Sequence, residues 1–129
     1  MAQKRIPAVF MRGGTSKGVF FMANDLPLKK AQQNTIFLQA LGSPDVYGRQ
    51  LNGMGGGVSS LSKVVILSKS TSPDIDIEYN FAQISVGTSD VDYSTTCGNL
   101  SSAVGPFSID HGLIEATGRM TLVRIRSVN

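Results

Sequence analysis

The sequence is poor in the residues that build disulfides and metal centres. Its 129 residues include one cysteine, Cys97, one histidine, His111, and no tryptophan. A single cysteine excludes a disulfide within the chain, and these two side chains are too few to form a structural zinc site. We therefore expect a protein of a reducing, cytoplasmic setting that holds no metal.

Long apolar runs are missing as well. A membrane-spanning helix needs about 18–20 consecutive apolar residues, and no segment of that kind occurs. Residues 1–7 include basic side chains but have no apolar core behind them, so they do not resemble a secretory signal peptide. The sequence predicts no membrane contact.

Neither sign of charge dominates. There are 12 lysines and arginines against 9 aspartates and glutamates, which gives a formal net charge of +3. The basic residues are not interleaved with aromatic residues, as they are on surfaces that bind nucleic acids by stacking. This pattern argues against a nucleic-acid partner and suits a small anionic ligand.

Five short apolar segments predict strands. The segment 74–81 alternates polar and apolar residues, so one of its faces is expected in water and the other on the core. Segment 63–68 is apolar on both faces and is expected to be buried. The predicted strands are 6–11, 19–22, 63–68, 74–81 and 120–126, and the segments 43–62 and 90–96 are predicted loops.

Two helices are predicted, one on the surface and one buried. The first follows a cap at Asn24 or Asp25 and ends at Gly42. The second, 97–109, is rich in small residues and has apolar side chains all round, which is typical of a buried helix. Pro106 is expected to kink or divide it, because proline removes an interior hydrogen bond.

These elements predict an α+β fold in which a sheet wraps around the buried helix. With 41% hydrophobic and 16% charged residues, the composition is that of a globular protein. We expect residues 1–129 to form a single domain.

Glycine is abundant, with 14 residues, and it concentrates in two loops. Segment 12–18 is not a phosphate loop, because Lys-Ser/Thr does not follow its second glycine, and 53–57 lacks the third glycine of a dinucleotide fingerprint. Both segments are explained by tight turns. Alternatively, the surrounding hydroxyl and amino groups suit a bound carboxylate or phosphate; they belong to Thr15, Ser16, Lys17, Ser59, Ser60 and Lys63.

The lone cysteine stands at the predicted start of the buried helix. If a threonine of the preceding pair caps this helix, Cys97 lies in its first turn, where the helix dipole favours an accessible thiolate. The alternative is that Cys97 is a small buried apolar residue. His111, at the other end of the helix, is expected to interact with the helix dipole.

Lys63 opens the strand that is apolar on both faces. Desolvation at that position would turn its amine into a base. Alternatively, the side chain extends from the strand end to keep its ammonium group in water.

Three segments match, in order, signatures of the PrpF-like family: 12–18, then 53–57 with 62–64, and 97–107. The similarity runs from residue 6 to about residue 126. This family comprises methylaconitate cis-trans isomerases and their methylitaconate and oxalomesaconate isomerase relatives, which have the diaminopimelate-epimerase fold.

The resemblance implies proton transfer, without a cofactor, on an unsaturated di- or tricarboxylate. Lys63 then corresponds to the base, and Cys97 to the second proton carrier or to a group that orients the substrate. Abstraction of a proton leaves a dienolate whose charge lies on carboxylate oxygens, and hydrogen-bond donors stabilise such charge. The candidate substrate-binding residues are Thr15, Ser16, Lys17, Gly56, Gly57, Gly98 and Asn99.

The resemblance also implies a particular architecture. Family members have two similar lobes, each a β-barrel around a central helix, with the substrate between them, and this chain has the length of one lobe. We therefore expect one barrel-like lobe with an added surface helix, completed by a second lobe or by a second copy of the chain. A non-catalytic partner of an aconitase-like dehydratase, or a truncated inactive paralogue, is the alternative.

Overall fold

The computed structural model describes residues 3–129, so Met1 and Ala2, on which part of the signal-peptide argument rests, lie outside the described residues. Six strands form one sheet in the order β1-β2-β3-β4-β5, with β6 also pairing with β4. The strands are β1 (Val9–Gly13), β2 (Ser16–Met22), β3 (Lys63–Lys69), β4 (Ile77–Ile84), β5 (Val91–Asp92) and β6 (Ile125–Ser127). The α+β class expected from the sequence is confirmed.

The pairing of the strands is mixed. Strands β1 and β2 form an antiparallel hairpin, β2 and β3 run parallel, and β3 and β4 are antiparallel. Strands β5 and β6 both lie along the free side of β4, one at each end. In the part of the chain that the structure describes, β1 pairs with β2 alone, so the sheet is open at this edge.

Three helices pack against this sheet: α1 (Lys30–Leu41), α2 (Gly98–Ser101) and α3 (Val104–Asp110). Side chains alternate between the two faces of each strand, which produces two apolar cores. One core lies against α2 and α3 and the other against α1. Strand β3 contributes to both cores, as expected for a segment that is apolar on both faces. Among residues 3–129, no helix combines the length and the apolar character that crossing a membrane requires.

The predicted buried helix is present and is divided into α2 and α3. Leu100 and Val104 are fully buried, and Phe107 nearly so. Pro106 lies in the first turn of α3 and has no N–H to donate to the carbonyl of Ser102, so the helix breaks just before α3. Both the burial and the division follow the expectation.

The start of the surface helix differs from the expectation. Asn24 and Asp25 lie in a separate 3₁₀ turn, and α1 begins at Lys30, after an N-cap at Lys29 that makes no side-chain hydrogen bond. The cap prediction is therefore wrong, because both candidate residues are used in the earlier turn. The predicted end is correct: Gly42 is the C-cap and has a φ of +83°.

The strand boundaries also differ: β1 and β2 span Val9–Gly13 and Ser16–Met22 rather than 6–11 and 19–22, and further differences concern β4, β5 and β6. Strand β4 starts at Ile77 rather than at residue 74, because a turn held by Asp76 and Arg124 precedes it. The predicted loop 90–96 contains β5, and only the end of the predicted strand 120–126 is extended sheet. Met120 and Leu122 are 87% and 83% exposed, so the apolar pattern in this segment does not face a core.

Close packing of α2 against the hairpin depends on Gly13. A Cβ atom there would lie 2.5 Å from the carbonyl oxygen of Asn99 and 2.9 Å from the Cα of Leu100, and both are backbone atoms. Neither neighbour moves without displacing the helix. The chain therefore uses glycine to bring α2 into contact with β1.

We expect Gly13→Ala to lower the free energy of unfolding by about 1–3 kcal/mol, the usual cost of overpacking. Gly87→Ala is the matched control, because a Cβ atom at Gly87 meets nothing within 4 Å. Urea unfolding followed by circular dichroism measures both variants. Equal stability of the two would contradict the packing argument.

Candidate functional site

Three elements meet at one edge of the sheet, where β2 and β3 begin. These are the turn of the β1–β2 hairpin, the start of β3 and the start of α2. In the parallel pairing of β2 and β3, Gly18 lies opposite Lys63. A Cβ atom at Gly18 would lie 2.9 Å from Cδ1 of Leu100 and 3.0 Å from the carbonyl oxygen of Lys63, so glycine is needed where these elements converge.

Cys97 is the N-cap of α2 rather than a residue of its first turn. Its Sγ accepts a hydrogen bond from the N–H of Leu100 at 3.5 Å and lies 4.0 Å from Oγ of Ser16, which is itself buried. Cys97 is only 7% exposed. The expectation of a threonine cap and an accessible thiol is therefore wrong, because the thiol itself occupies the capping position, inside the core.

Tyr79, on β4, holds the backbone of Cys97 in place. The phenol donates a hydrogen bond to the carbonyl oxygen of Cys97 at 2.9 Å. Burial raises the pKa of Tyr79 well above its usual value, which keeps the hydroxyl protonated and able to donate. The start of α2 is thus held from the side of β4.

Lys63 lies on the same face of the sheet as the core that contains Cys97. Its Nζ donates a hydrogen bond to Oε1 of Gln83 at 2.8 Å and lies 4.8 Å from the ring centroid of Phe81. The side chain is half-buried. The sequence left open whether the amine is desolvated or extends into water. In the structure the side chain is between these two states.

Gln83 is a site residue that the sequence analysis missed. It lies directly opposite Lys63 in the β3–β4 pairing. Its Nε2 donates hydrogen bonds to the carbonyl oxygens of Ser59 and Ser62, both at 2.9 Å. The only signal in the sequence is a polar residue near the end of a strand that also contains Glu78 and Asn80, which is too common to single it out.

The hairpin turn and the start of α2 join at the surface. Nδ2 of Asn99 donates a hydrogen bond to Oγ1 of Thr15 at 3.2 Å. Gly14, in the same turn, has a φ of +53° and packs against the Asn99 side chain. Within the described residues, the backbone N–H groups of Gly98 and Asn99 donate to no protein acceptor, so they are open to a ligand.

The triple-glycine loop has a different role from the one expected. The N–H of Gly56 donates to the carbonyl oxygen of Leu61 at 3.1 Å, and that of Gly57 to Oε1 of Gln50 at 2.9 Å. Both donors are therefore satisfied inside the loop. The expectation that they bind the substrate is not supported by this geometry.

Gln50 organises this loop and was also missed by the sequence analysis. Its side chain is fully buried, and its Nε2 donates to Oγ of Ser43 and to Oγ of Ser62, both at 2.8 Å. It has a φ of +55°, which is uncommon for a residue other than glycine. Its place among polar loop residues gave no sign of burial.

Two further candidates lie away from this edge. Lys17 projects from the opposite face of β2, where its Nζ lies 5.9 Å from the ring centroid of Phe10. His111 is the C-cap of α3, as expected from its position at the helix end, and its ring stacks on Phe107. Neither contacts Lys63 or Cys97, so Lys17 is not part of the cluster that the sequence predicted.

A cavity also lies on the other face of the sheet. It has a volume of about 640 Å³ and lies between the segment 3–8, β2 and α1. It is lined mainly by apolar side chains and by none of the predicted site residues. Over residues 3–129, no group of three or more His, Cys, Asp or Glu side chains is placed to hold a metal ion. The candidate site lies outside this cavity.

Comparison with known proteins gives a consistent result. A family model described as "PrpF protein" matches residues 3–129. The chain is 50% identical to the 2-methyl-aconitate isomerase of Cupriavidus necator, 46% to the 3-methylitaconate isomerase of Eubacterium barkeri and 46% to the 4-oxalomesaconate tautomerase of Pseudomonas putida. These matches cover 98%, 98% and 97% of this chain but only 34%, 33% and 34% of the relatives.

A solved structure supports the same relationship. The crystal structure of a methylitaconate-delta-isomerase superposes with a TM-score of 0.93 at 46% sequence identity, over 98% of this chain and 32% of that chain. This similarity agrees with the expectation of one lobe of an epimerase-like fold. The chain spans about a third of the length of the proteins that it matches.

The burial of Cys97 has a direct consequence for its reactivity. We expect iodoacetamide to alkylate Cys97 at least ~10-fold more slowly in the native protein than in urea, because the thiol must be exposed to react. Mass spectrometry of quenched samples measures both rates, and Cys97→Ser confirms the site of labelling. Similar rates in the two conditions would mean that the thiol is accessible after all.

Proposed function

Because this chain belongs to the PrpF family, we propose that it carries the proton-transfer site of an isomerase that acts on unsaturated di- or tricarboxylates without a cofactor. The observation that carries the proposal is the placement of Lys63 and Cys97 on one face of the sheet at the edge where open backbone donors lie. An amine, a thiol and free N–H groups are the components that proton transfer next to a carboxylate needs.

The substrate class follows from the relatives. They are named for 2-methylaconitate, 3-methylitaconate and 4-oxalomesaconate, which are all unsaturated carboxylates. In such a compound, a C–H bond next to the conjugated double bond is acidic, because the carbanion formed is a dienolate. Isomerisation then needs a base to remove one proton and an acid to return one.

Lys63 is the proposed base. A neutral amine keeps a lone pair while one of its N–H groups donates to Oε1 of Gln83. The lone pair takes the proton, the electrons of the C–H bond move into the conjugated system, and the negative charge reaches the carboxylate oxygens. Reprotonation at the other allylic carbon moves the double bond, and reprotonation at the same carbon after rotation converts cis to trans.

Cys97 is the proposed second proton carrier or orienting group. Its Sγ lies 4.0 Å from Oγ of Ser16, and this buried hydroxyl is the neighbouring group with which the thiol would exchange a proton. The thiol is buried, so we propose that a small movement of α2 exposes it when it carries a proton. If it only orients the substrate, it does so through α2, which it caps, and stays buried. The Lys63 amine is more exposed than the Cys97 thiol, so the amine is the group that a substrate would reach directly.

The carboxylate is proposed to bind at the hairpin turn and the start of α2. Thr15, Gly98 and Asn99 supply hydroxyl, amide and backbone N–H donors at this edge, and Ser16 lies buried behind them beside Cys97. Such donors stabilise charge that develops on carboxylate oxygens. Gly56 and Gly57 shape the neighbouring loop instead, and Lys17 lies on the other face.

The open edge needs a second wall to exclude water during proton transfer. We propose that this wall comes from outside these 129 residues, either from further sequence or from a second copy of the chain. The loop 43–62 also exposes several large apolar side chains, namely Val46, Tyr47, Leu51 and Val58. We propose that these side chains belong to that contact, since a contiguous exposed apolar patch is typical of a protein–protein interface.

We expect the 129-residue chain to self-associate or to bind a hydrophobic dye through this loop. Sedimentation velocity with dye fluorescence tests this, with Tyr47→Ser as the variant and Leu28→Ser as the control, because Leu28 is exposed outside the loop. Tyr47→Ser should weaken association or dye binding more than the control. A wild-type monomer that binds no dye would contradict the proposal.

The central test is deuterium exchange. Wild-type protein should incorporate deuterium from D₂O into 2-methylaconitate, 3-methylitaconate or 4-oxalomesaconate, as detected by NMR. Lys63→Ala and Lys63→Arg should both lose about 10²–10⁴-fold in exchange rate, because alanine removes the base and a guanidinium does not deprotonate near neutral pH. Lys69→Ala, at the other end of β3, is the control and should retain exchange.

The assay uses this chain over a range of concentrations and also any longer protein that contains it, because the relatives are about three times as long. Exchange that survives Lys63→Ala would remove Lys63 from the mechanism. Calorimetric binding of the same carboxylates without exchange by the wild type would instead favour a non-catalytic partner, such as one that acts beside an aconitase-like dehydratase.

A further inference from the structure

We propose that Gln83 is a positioning residue that holds the amine of Lys63 in place without fixing its charge. The inference rests on the proposed function of Lys63. Gln83 is joined to Lys63 by a side-chain hydrogen bond of 2.8 Å and to the loop before β3 by two further hydrogen bonds. Its amide therefore links the amine to the glycine-rich loop.

The geometry of the sheet makes this contact specific. Lys63 and Gln83 are direct partners in the β3–β4 pairing, so their side chains leave the sheet on the same face. Phe81, two residues before Gln83, places its ring 4.8 Å from Nζ of Lys63. The amine thus has an aromatic ring on one side and an amide oxygen on another, which limits the many conformations open to a free lysine.

The nitrogen of the Gln83 side-chain amide is also held by hydrogen bonds. Nε2 donates to the carbonyl oxygens of Ser59 and Ser62. Ser62 is buried, and its Oγ accepts a hydrogen bond from Gln50, the residue that organises the loop. The position of the Lys63 amine is therefore coupled to the loop through a continuous set of hydrogen bonds.

A neutral amide is the chemical group that this role needs. Its carbonyl oxygen accepts a hydrogen bond from either protonation state of a lysine amine, whereas a carboxylate at the same distance favours the charged ammonium. A base must lose its proton in each cycle to act again. Glutamine at position 83 thus holds the amine while leaving it free to exchange its proton.

The first experiment does not depend on activity. In protein labelled with ¹³C at lysine Cε, the Lys63 signal is assigned by its loss in Lys63→Arg, and its chemical shift is followed against pH. In Gln83→Glu we expect the midpoint of this titration to rise by about one pH unit or more, the usual effect of an opposite charge at such a distance. In Gln33→Glu the midpoint should match the wild type.

Gln33 is the matched control because its side chain also donates to a backbone carbonyl, that of Pro27, but lies on α1 against the other face of the sheet. Gln33→Glu therefore adds the same charge and removes the same type of bond. A shift of equal size in both variants would overturn the proposal, because it would reflect net charge rather than contact with Lys63.

The second experiment measures kinetics in the exchange-active form of the protein. Gln83→Met keeps the size of the side chain but removes all three hydrogen bonds, and we expect kcat to fall by up to about 10²-fold with little change in KM. In Gln83→Glu, the pH at which kcat/KM reaches half its maximum should rise together with the Lys63 titration. Circular dichroism and urea unfolding identify any loss of folding.

The outcomes separate this proposal from the proposed function. Failure of the wild type to exchange substrate protons would count against the proposed function alone, whereas the Lys63 titration tests the Gln83 contact in either case. Co-variation of the titration and the pH profile in Gln83→Glu supports the positioning role. A Lys63 titration that is unchanged in Gln83→Glu overturns it.

Discussion

The close approach of α2 to the β1–β2 hairpin is the constraint on which the candidate site depends. Two positions without a side chain permit it: Gly13 lies against the backbone of Asn99, and Gly18 lies against Leu100 and the carbonyl of Lys63. Because α2 packs against the hairpin, the thiol of Cys97, which caps α2, lies in the core. The hairpin turn then lies beside the open N–H groups at the start of α2.

The site combines groups that are held firmly with groups that remain open. The Lys63 amine is bound by the Gln83 amide, and the start of α2 is held by the Tyr79 hydroxyl. The N–H groups of Gly98 and Asn99, by contrast, have no protein acceptor among the described residues. A lysine amine held in place, together with unoccupied donors, suits the proposed reaction, in which negative charge develops on a bound carboxylate, because donors fixed in advance need not reorganise during the reaction.

Several elements could be predicted because their signals are local. Pro106 lacks an N–H wherever it stands, so the division of the buried helix followed from its position alone. Gly42 tolerates a positive φ, so the end of α1 was equally clear. Strand β5 and the short β6 were not predicted well, because two or three residues acquire their extended pairing only from β4. The polar residues Gln50 and Gln83 gave no local sign of their hydrogen-bond partners.

The sequence by itself determined the α+β class, the buried helix and the motifs that carry Lys63 and Cys97, since periodicity, proline, glycine and motif order are written along the chain. Only the tertiary structure decided which side chains meet. It placed Lys17 on the opposite face, satisfied the N–H groups of Gly56 and Gly57 inside their loop, and paired Lys63 with Gln83. The physical reason is strand register: a side chain's face and partner are set by pairing with residues far along the chain, and a shift of one residue reverses them.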